Sequence, residues 1–153
     1  MRKDSRLSRM LHVLLHMARD REPITSDAIA KMLGTNPVVV RRTLAGLREA
    51  GYVRSEKGHG GGWVISCDLT KVSLLDIHNA VGGPRLFAIG NENSDPACLV
   101  EQAVNGALEE ALDAVESLLM ARLGAVSLAE LGDDFEKRYA NDSRTSAVPD
   151  GGN

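Results

Sequence analysis

Cysteine is nearly absent: the chain has two, Cys67 and Cys98, among 153 residues. That is too few, and too widely spaced, for a disulfide framework, and it points to a reducing, cytoplasmic setting. No apolar run is long enough to cross a bilayer, and the first residues lack the apolar core and small-residue cleavage site of a signal peptide. Catalytic signatures are missing as well. His59-Gly60-Gly61-Gly62 looks like an oxyanion-hole loop, but no Gly-x-Ser-x-Gly elbow accompanies it. Read as a dinucleotide loop, Gly58-x-Gly60 has Trp63 where the third glycine belongs, and Gly-Lys-Ser/Thr does not occur. The chain is therefore not expected to be an enzyme, and it contains no internal repeats.

What is present is a globular composition, 43% hydrophobic and 25% charged, with an uneven charge distribution. The net charge is −3, yet residues 1–60 hold 12 basic against 6 acidic side chains, whereas residues 91–153 hold 4 against 13. A basic N-terminal module is joined to an acidic C-terminal one, so a phosphate-facing surface would belong to the first.

Leu7, Met10, Leu11, Leu14, Leu15 and Ala18 recur at helical spacing and predict an amphipathic helix over about 6–19. Thr25 or Ser26 then caps a short helix that Gly34 ends. Asn36-Pro37 supplies a cap and a first-turn proline for a helix over about 37–50, with Val40, Leu44 and Leu47 inward. Val38, Val39, Arg41, Arg42 and Arg48 face the other way. Adjacent arginines on a helix are usually a solvated face. In the early turns of the second helix of a helix-turn-helix, however, they meet a major groove, where arginine suits guanine edges and phosphates.

Two β-type runs, 52–55 and 63–66, flank Lys57-Gly58-His59-Gly60-Gly61-Gly62, which reads as a glycine-rich, basic hairpin tip. Ser73 opens a short helix closed by Gly82-Gly83. A loop from Pro84 to Asp95 follows, long enough to be functional. Asp95-Pro96 starts a long helix to about Leu123, whose apolar stripe (Leu99, Val104, Leu108, Leu112, Val115, Leu119) is wider than its own domain needs and suits a twin. Ser127 caps a brief terminal helix, and composition predicts a disordered tail. The expected fold is mainly α with a small β-hairpin wing: a winged helix-turn-helix over 1–83, an effector or sensor loop over 84–97, a dimerisation helix and short terminal helix over 98–132, and a tail over 133–153.

Three stretches, residues 24–53 ending in LREAGYV, the wing SEKGHGGGWVIS and the following VSLLDIHNAVGG, resemble the Rrf2 family of bacterial transcription regulators. The similarity runs on through the long helix to VSLAEL. It implies a homodimer on a partly palindromic double-stranded DNA operator, with recognition helices in successive major grooves and wings in the minor groove. Asn36, Val38, Val39, Arg41 and Arg42 match the recognition positions, and Lys57, Gly58, His59 and Gly60 match the wing. Lys57 stands where the family usually has arginine, and His59 where it often has proline. Members that bind an iron–sulfur cluster carry three loop cysteines; only Cys98 matches, so no cluster and no other cofactor is expected.

Cys98, in the first turn of the long helix, is a candidate redox sensor or a buried remnant, and Cys67 reads as packing. His12 and His16, four apart, lack the further ligands of a zinc site and read as a solvated or interface-edge pair. Phosphate contacts are expected from Arg2, Lys3, Arg6, Arg42 and Lys57. The functional expectation is a homodimeric DNA-binding regulator, a repressor, responding to a small-molecule effector or redox signal without a cluster. The alternatives are a thiol sensor through Cys98 and a protein-interaction platform.

Overall fold

The computed structural model describes residues 4–83 and 97–145. Six helices and one hairpin follow in the order α1 (Arg6–Asp20), α2 (Ser26–Leu33), α3 (Pro37–Glu49), β1 (Val53–Glu56), β2 (Gly62–Ile65), α4 (Leu74–Ala80), α5 (Leu99–Gly124) and α6 (Leu128–Thr145).

Local chemistry sets the helix boundaries. The Thr25 hydroxyl accepts the Ala28 N–H at 3.1 Å, and Gly34, in the left-handed region at φ 61°, closes α2. The Asn36 carbonyl oxygen of the side chain accepts the Val38 N–H at 2.8 Å, and Pro37 follows in the first turn of α3. The Tyr52 N–H donates to the Leu47 carbonyl at 2.9 Å, finishing the α3 terminus. The Tyr52 N–H is thereby spent on the helix while its carbonyl accepts the Ser66 N–H at 3.0 Å, so the first strand begins at Val53, one residue later than the sequence pattern predicts, and the second, at Gly62, one residue earlier.

The strands pair antiparallel with Val53 opposite Ile65 and Ser55 opposite Trp63. The start of β2, next to the loop, is tied to the helical body: Ile24 and Trp63 exchange two backbone hydrogen bonds, at 2.8 and 3.1 Å, and Trp63 Nε1 donates to Ser26 Oγ at 2.9 Å. A Cβ on Gly62 would collide with the Ile24 backbone. The glycine at that position permits the docking.

The core gathers Met10, Val13, Leu14 and Met17 of α1, Ile29 and Ala30 of α2, Val40, Leu44 and Leu47 of α3, Val53, Trp63, and Ile77 of α4. Gly46 lets α3 cross α4 closely, because a Cβ there would strike the Ala80 carbonyl oxygen. Gly46→Ala gains helix propensity of about 1 kcal/mol but must push the two backbones apart. We expect a net loss of about 1–3 kcal/mol in urea unfolding; an unchanged midpoint would refute the close crossing.

Two expectations, a brief terminal helix and a disordered tail from 133, are corrected after α5. The chain returns to the winged body, with Leu74 N–H donating to Val126 O at 3.0 Å and Leu128 N–H to Val72 O at 2.8 Å, and Leu128 is 1% exposed within the core. The terminal helix is also not brief, and no disordered tail begins at 133, since α6 continues to Thr145 and packs along α1. Phe135 and Tyr139 supply the reason: the Arg19 guanidinium lies over both rings, at 5.4 and 4.0 Å. Residues 146–153 of the expected tail lie outside the described residues, as does nearly all of the expected sensor loop, over 84–96. Among the described residues, no helix is long and apolar enough to cross a membrane.

Candidate nucleic-acid interface

The outward side of α3 carries two rows of side chains. One row runs through Val38, Arg41, Ala45 and Arg48 at helical spacing, with Val38 53% exposed and both arginines in solvent. Its far end meets the wing, where the Arg48 guanidinium lies 5.9 Å from the centre of the Trp63 ring. The second row, Val39, Arg42 and Thr43, borders a groove shared with Arg6 of α1 and with Val81 and Gly82 at the end of α4. Arg6 reaches across this groove, donating to the Val81 carbonyl at 3.4 Å while paired with Asp4 at 2.7 Å.

The first row therefore leads to the hairpin and the second to the start of α1. Asn36 caps the helix through its side-chain oxygen, which leaves its amide nitrogen as the donor for a base contact. At the hairpin tip Lys57, Gly58, His59 and Gly60 are all exposed. Gly58 and Gly60 adopt φ of 95° and 75°, a region in which side chains strain the backbone, and the Gly61 N–H closes the turn onto the Gly58 carbonyl at 3.1 Å. Arg54 is bound to Glu56 at 2.9 Å on β1. Sequence reasoning placed Arg54 and Trp63 in the two β-type runs without giving Arg54 a role or recognising Trp63 as the wing's anchor. Arg2 and Lys3, expected at the phosphates, lie outside the described residues.

Cys98 is exposed and occupies the N-cap of α5, one residue before the helix proper, rather than its first turn. Its sulfur forms no capping hydrogen bond, but the backbone amides of Glu101 and Val100 hold the thiol below its ordinary pKa. Cys67, half-buried after β2, is displaced the other way, first by burial and then by the neighbouring Asp68 charge. A lowered pKa enlarges the thiolate fraction near neutrality and a raised one shrinks it. Iodoacetamide should therefore label Cys98 well before Cys67, as read by peptide mass spectrometry. The reverse order would contradict both displacements.

Known proteins match this geometry. The model of the Rrf2 family, described as iron-dependent transcriptional regulators, matches residues 4–134. YwnA of Bacillus subtilis, named as an HTH-type transcriptional regulator, is 34% identical over 129 residues, covering 84% of this chain and 95% of YwnA. A crystallised chain described as a DNA-binding protein superposes with a TM-score of 0.65 at 30% identity, covering 83% of this chain and 98% of that one. CymR of B. subtilis, described as a global cysteine regulator, shares the fold with a TM-score of 0.58 at 21% identity, over 87% and 97% of the two chains.

Iron chemistry of the cluster type does not fit the donors in this chain. Its thiols are Cys67 and Cys98 alone, no histidine lies beyond His78, and a cluster needs about four ligands, mostly thiolates. Among the described residues no three His, Cys, Asp or Glu side chains converge to hold a metal. With a family model spanning most of its length and a curated relative at 34% identity, this chain belongs to the Rrf2 family of transcriptional regulators and carries their DNA-binding winged-helix fold, not an enzyme's.

Proposed function

We propose that the protein is a homodimeric, sequence-specific repressor that reads an operator with α3 and its wing. Val38, Val39, Arg41 and Arg42, with Asn36 at the cap, meet the base edges and flanking phosphates of a major groove. Lys57, Gly58, His59 and Gly60 follow the adjacent minor groove, and Arg6 and Lys57 neutralise phosphates. The observation that carries this reading is the continuity of the exposed α3 row with the wing through Arg48 and Trp63, since one curved duplex must touch both. A second copy docks along α5. Residues 84–97 and Cys98 form the part through which a small-molecule effector or an oxidant acts.

The test begins by selecting duplexes from a random pool with the purified full-length chain, then titrating the selected site with salt. Affinity that falls steeply with log salt, with a two-fold symmetric site, supports the reading. Salt-independent capture of a protein partner with no duplex selected would replace it with an interaction platform.

A second reading of the signal is favoured by the exposed, acidified thiol of Cys98. In this reading the operator affinity of the wild type responds to diamide or peroxide, and that of Cys98→Ser does not. Equal responses of the two would dismiss Cys98 as the sensor.

A further inference from the structure

His12 and His16 lie one turn apart on α1, with their Nε2 atoms 3.0 Å from each other. The rings are tilted by 38° with centroids 4.9 Å apart, so the two nitrogens converge rather than stack. Only one proton fits between them. The pair stands at the edge of a hollow of about 340 Å³ that Ser8, Leu11, Leu15 and Phe135 complete, with the Phe135 ring 6.5 Å from that of His16. His12 is exposed and His16 half-buried, while the opposite side of the same helix is fixed in the core by Val13, Leu14 and Met17. The backbone that carries the pair is therefore held by the core, and the contact between the rings lies at the exposed side of the helix.

We propose that His12 and His16 form a bidentate site for a first-row divalent transition ion, of the class represented by Cu²⁺, Ni²⁺ and Zn²⁺. Metal–imidazole bonds of about 2.0–2.1 Å place two adjacent nitrogens about 3.0 Å apart on an octahedral or square ion and about 3.3–3.4 Å apart on a tetrahedral one. The observed 3.0 Å matches the first arrangement and needs a few tenths of an ångström of ring movement for the second. The i, i+4 histidine spacing on one helix face is the spacing that zinc-binding helices use for two of their ligands. Both imidazoles bind as neutral rings through Nε2 with the proton on Nδ1, so the ion takes the place of the contact between the two Nε2 atoms. Water completes the coordination. Imidazole donors select this class of ion over Mg²⁺ and Ca²⁺, which take oxygen ligands.

The experiment uses the full-length, untagged protein in a Cys67→Ser/Cys98→Ser background, which removes thiol binding. Ni²⁺ and Cu²⁺ are titrated calorimetrically, and the Cu²⁺ form is examined by electron paramagnetic resonance for coupling to nitrogen. One ion per chain is expected, with two-nitrogen coupling and a rise in Tm on adding metal. His12→Gln and His16→Gln should each weaken binding by at least about tenfold and abolish the rise in Tm. Both positions are outside the core, and circular dichroism checks that each variant keeps its helix content. Absence of binding by the parent protein, or equal binding by the parent and both variants, would overturn the assignment.

Discussion

Replacing Arg41 and Arg42 together with alanine should lower operator affinity by about 2–6 kcal/mol, because each groove-facing arginine contributes about 1–3 kcal/mol. The two will not behave alike. Arg41 lies in the row that runs through Val38 to the wing, whereas Arg42 shares the groove with Arg6 and the end of α4. Arg41→Ala is accordingly expected to relax preference at one base position. Arg42→Ala should weaken all duplexes nearly uniformly and flatten the salt dependence by about one phosphate contact. Neither side chain takes part in the core, which is built from Val40, Leu44 and Leu47 on the other side of the helix. Urea midpoints should stay within about 0.5 kcal/mol of wild type. Fluorescence anisotropy on the selected duplex at two salt concentrations separates these outcomes. Full retention of affinity by the double variant would remove α3 from the interface.

The recognition unit was legible in the sequence because its signals are local. Thr25, Gly34, Asn36 and Pro37 each act within one helical turn, and the structure uses all four at the positions where the pattern puts them. The hairpin was legible for the same reason, with each strand displaced by one residue and the Tyr52 N–H claimed by the helix before it. The last helix was misjudged because its stabilisation is not local. Its polar composition reads as a tail, and only the distant face of α1, with Arg19 lying over Phe135 and Tyr139, makes those residues helical. Leu128, Leu131 and Phe135 at three- and four-residue spacing, behind the Ser127–Glu130 capping box, were the available signal. The interactions of His12 and His16 were equally hidden. Spacing places two imidazoles on one helix face, but only coordinates bring their nitrogens to 3.0 Å.

Charging the outer face of α5 should split the protein into monomers. This helix has 26 residues, about 39 Å in length, and not one of them is buried within the single chain. Its apolar residues form one broad stripe with a partly covered edge and an open edge. Leu112, Leu119 and Leu123 are half-covered, while Val100, Val104, Leu108, Val115 and Leu118 stand exposed at intervals of three, four and seven residues, Leu118 at 60%. A continuous apolar row of that length facing water is expected to be covered, and a two-fold axis would cover it with its own copy. Val104→Asp with Leu118→Asp introduces two charges per chain, hence four in a symmetric interface. One unpaired buried charge costs about 3–5 kcal/mol, so the dimer dissociation constant should rise by at least about a thousandfold. Because neither residue contributes to the core, circular dichroism and the unfolding of the winged body should change little. Sedimentation at micromolar concentration would then give one chain per particle, against two for wild type. The same variant should bind a single half-site as the wild-type subunit does but lose the gain from joining two, so that affinity for the full operator falls towards that for its half. A wild-type protein that sediments as one chain, or a double variant that still pairs, would show that α5 serves some other partner.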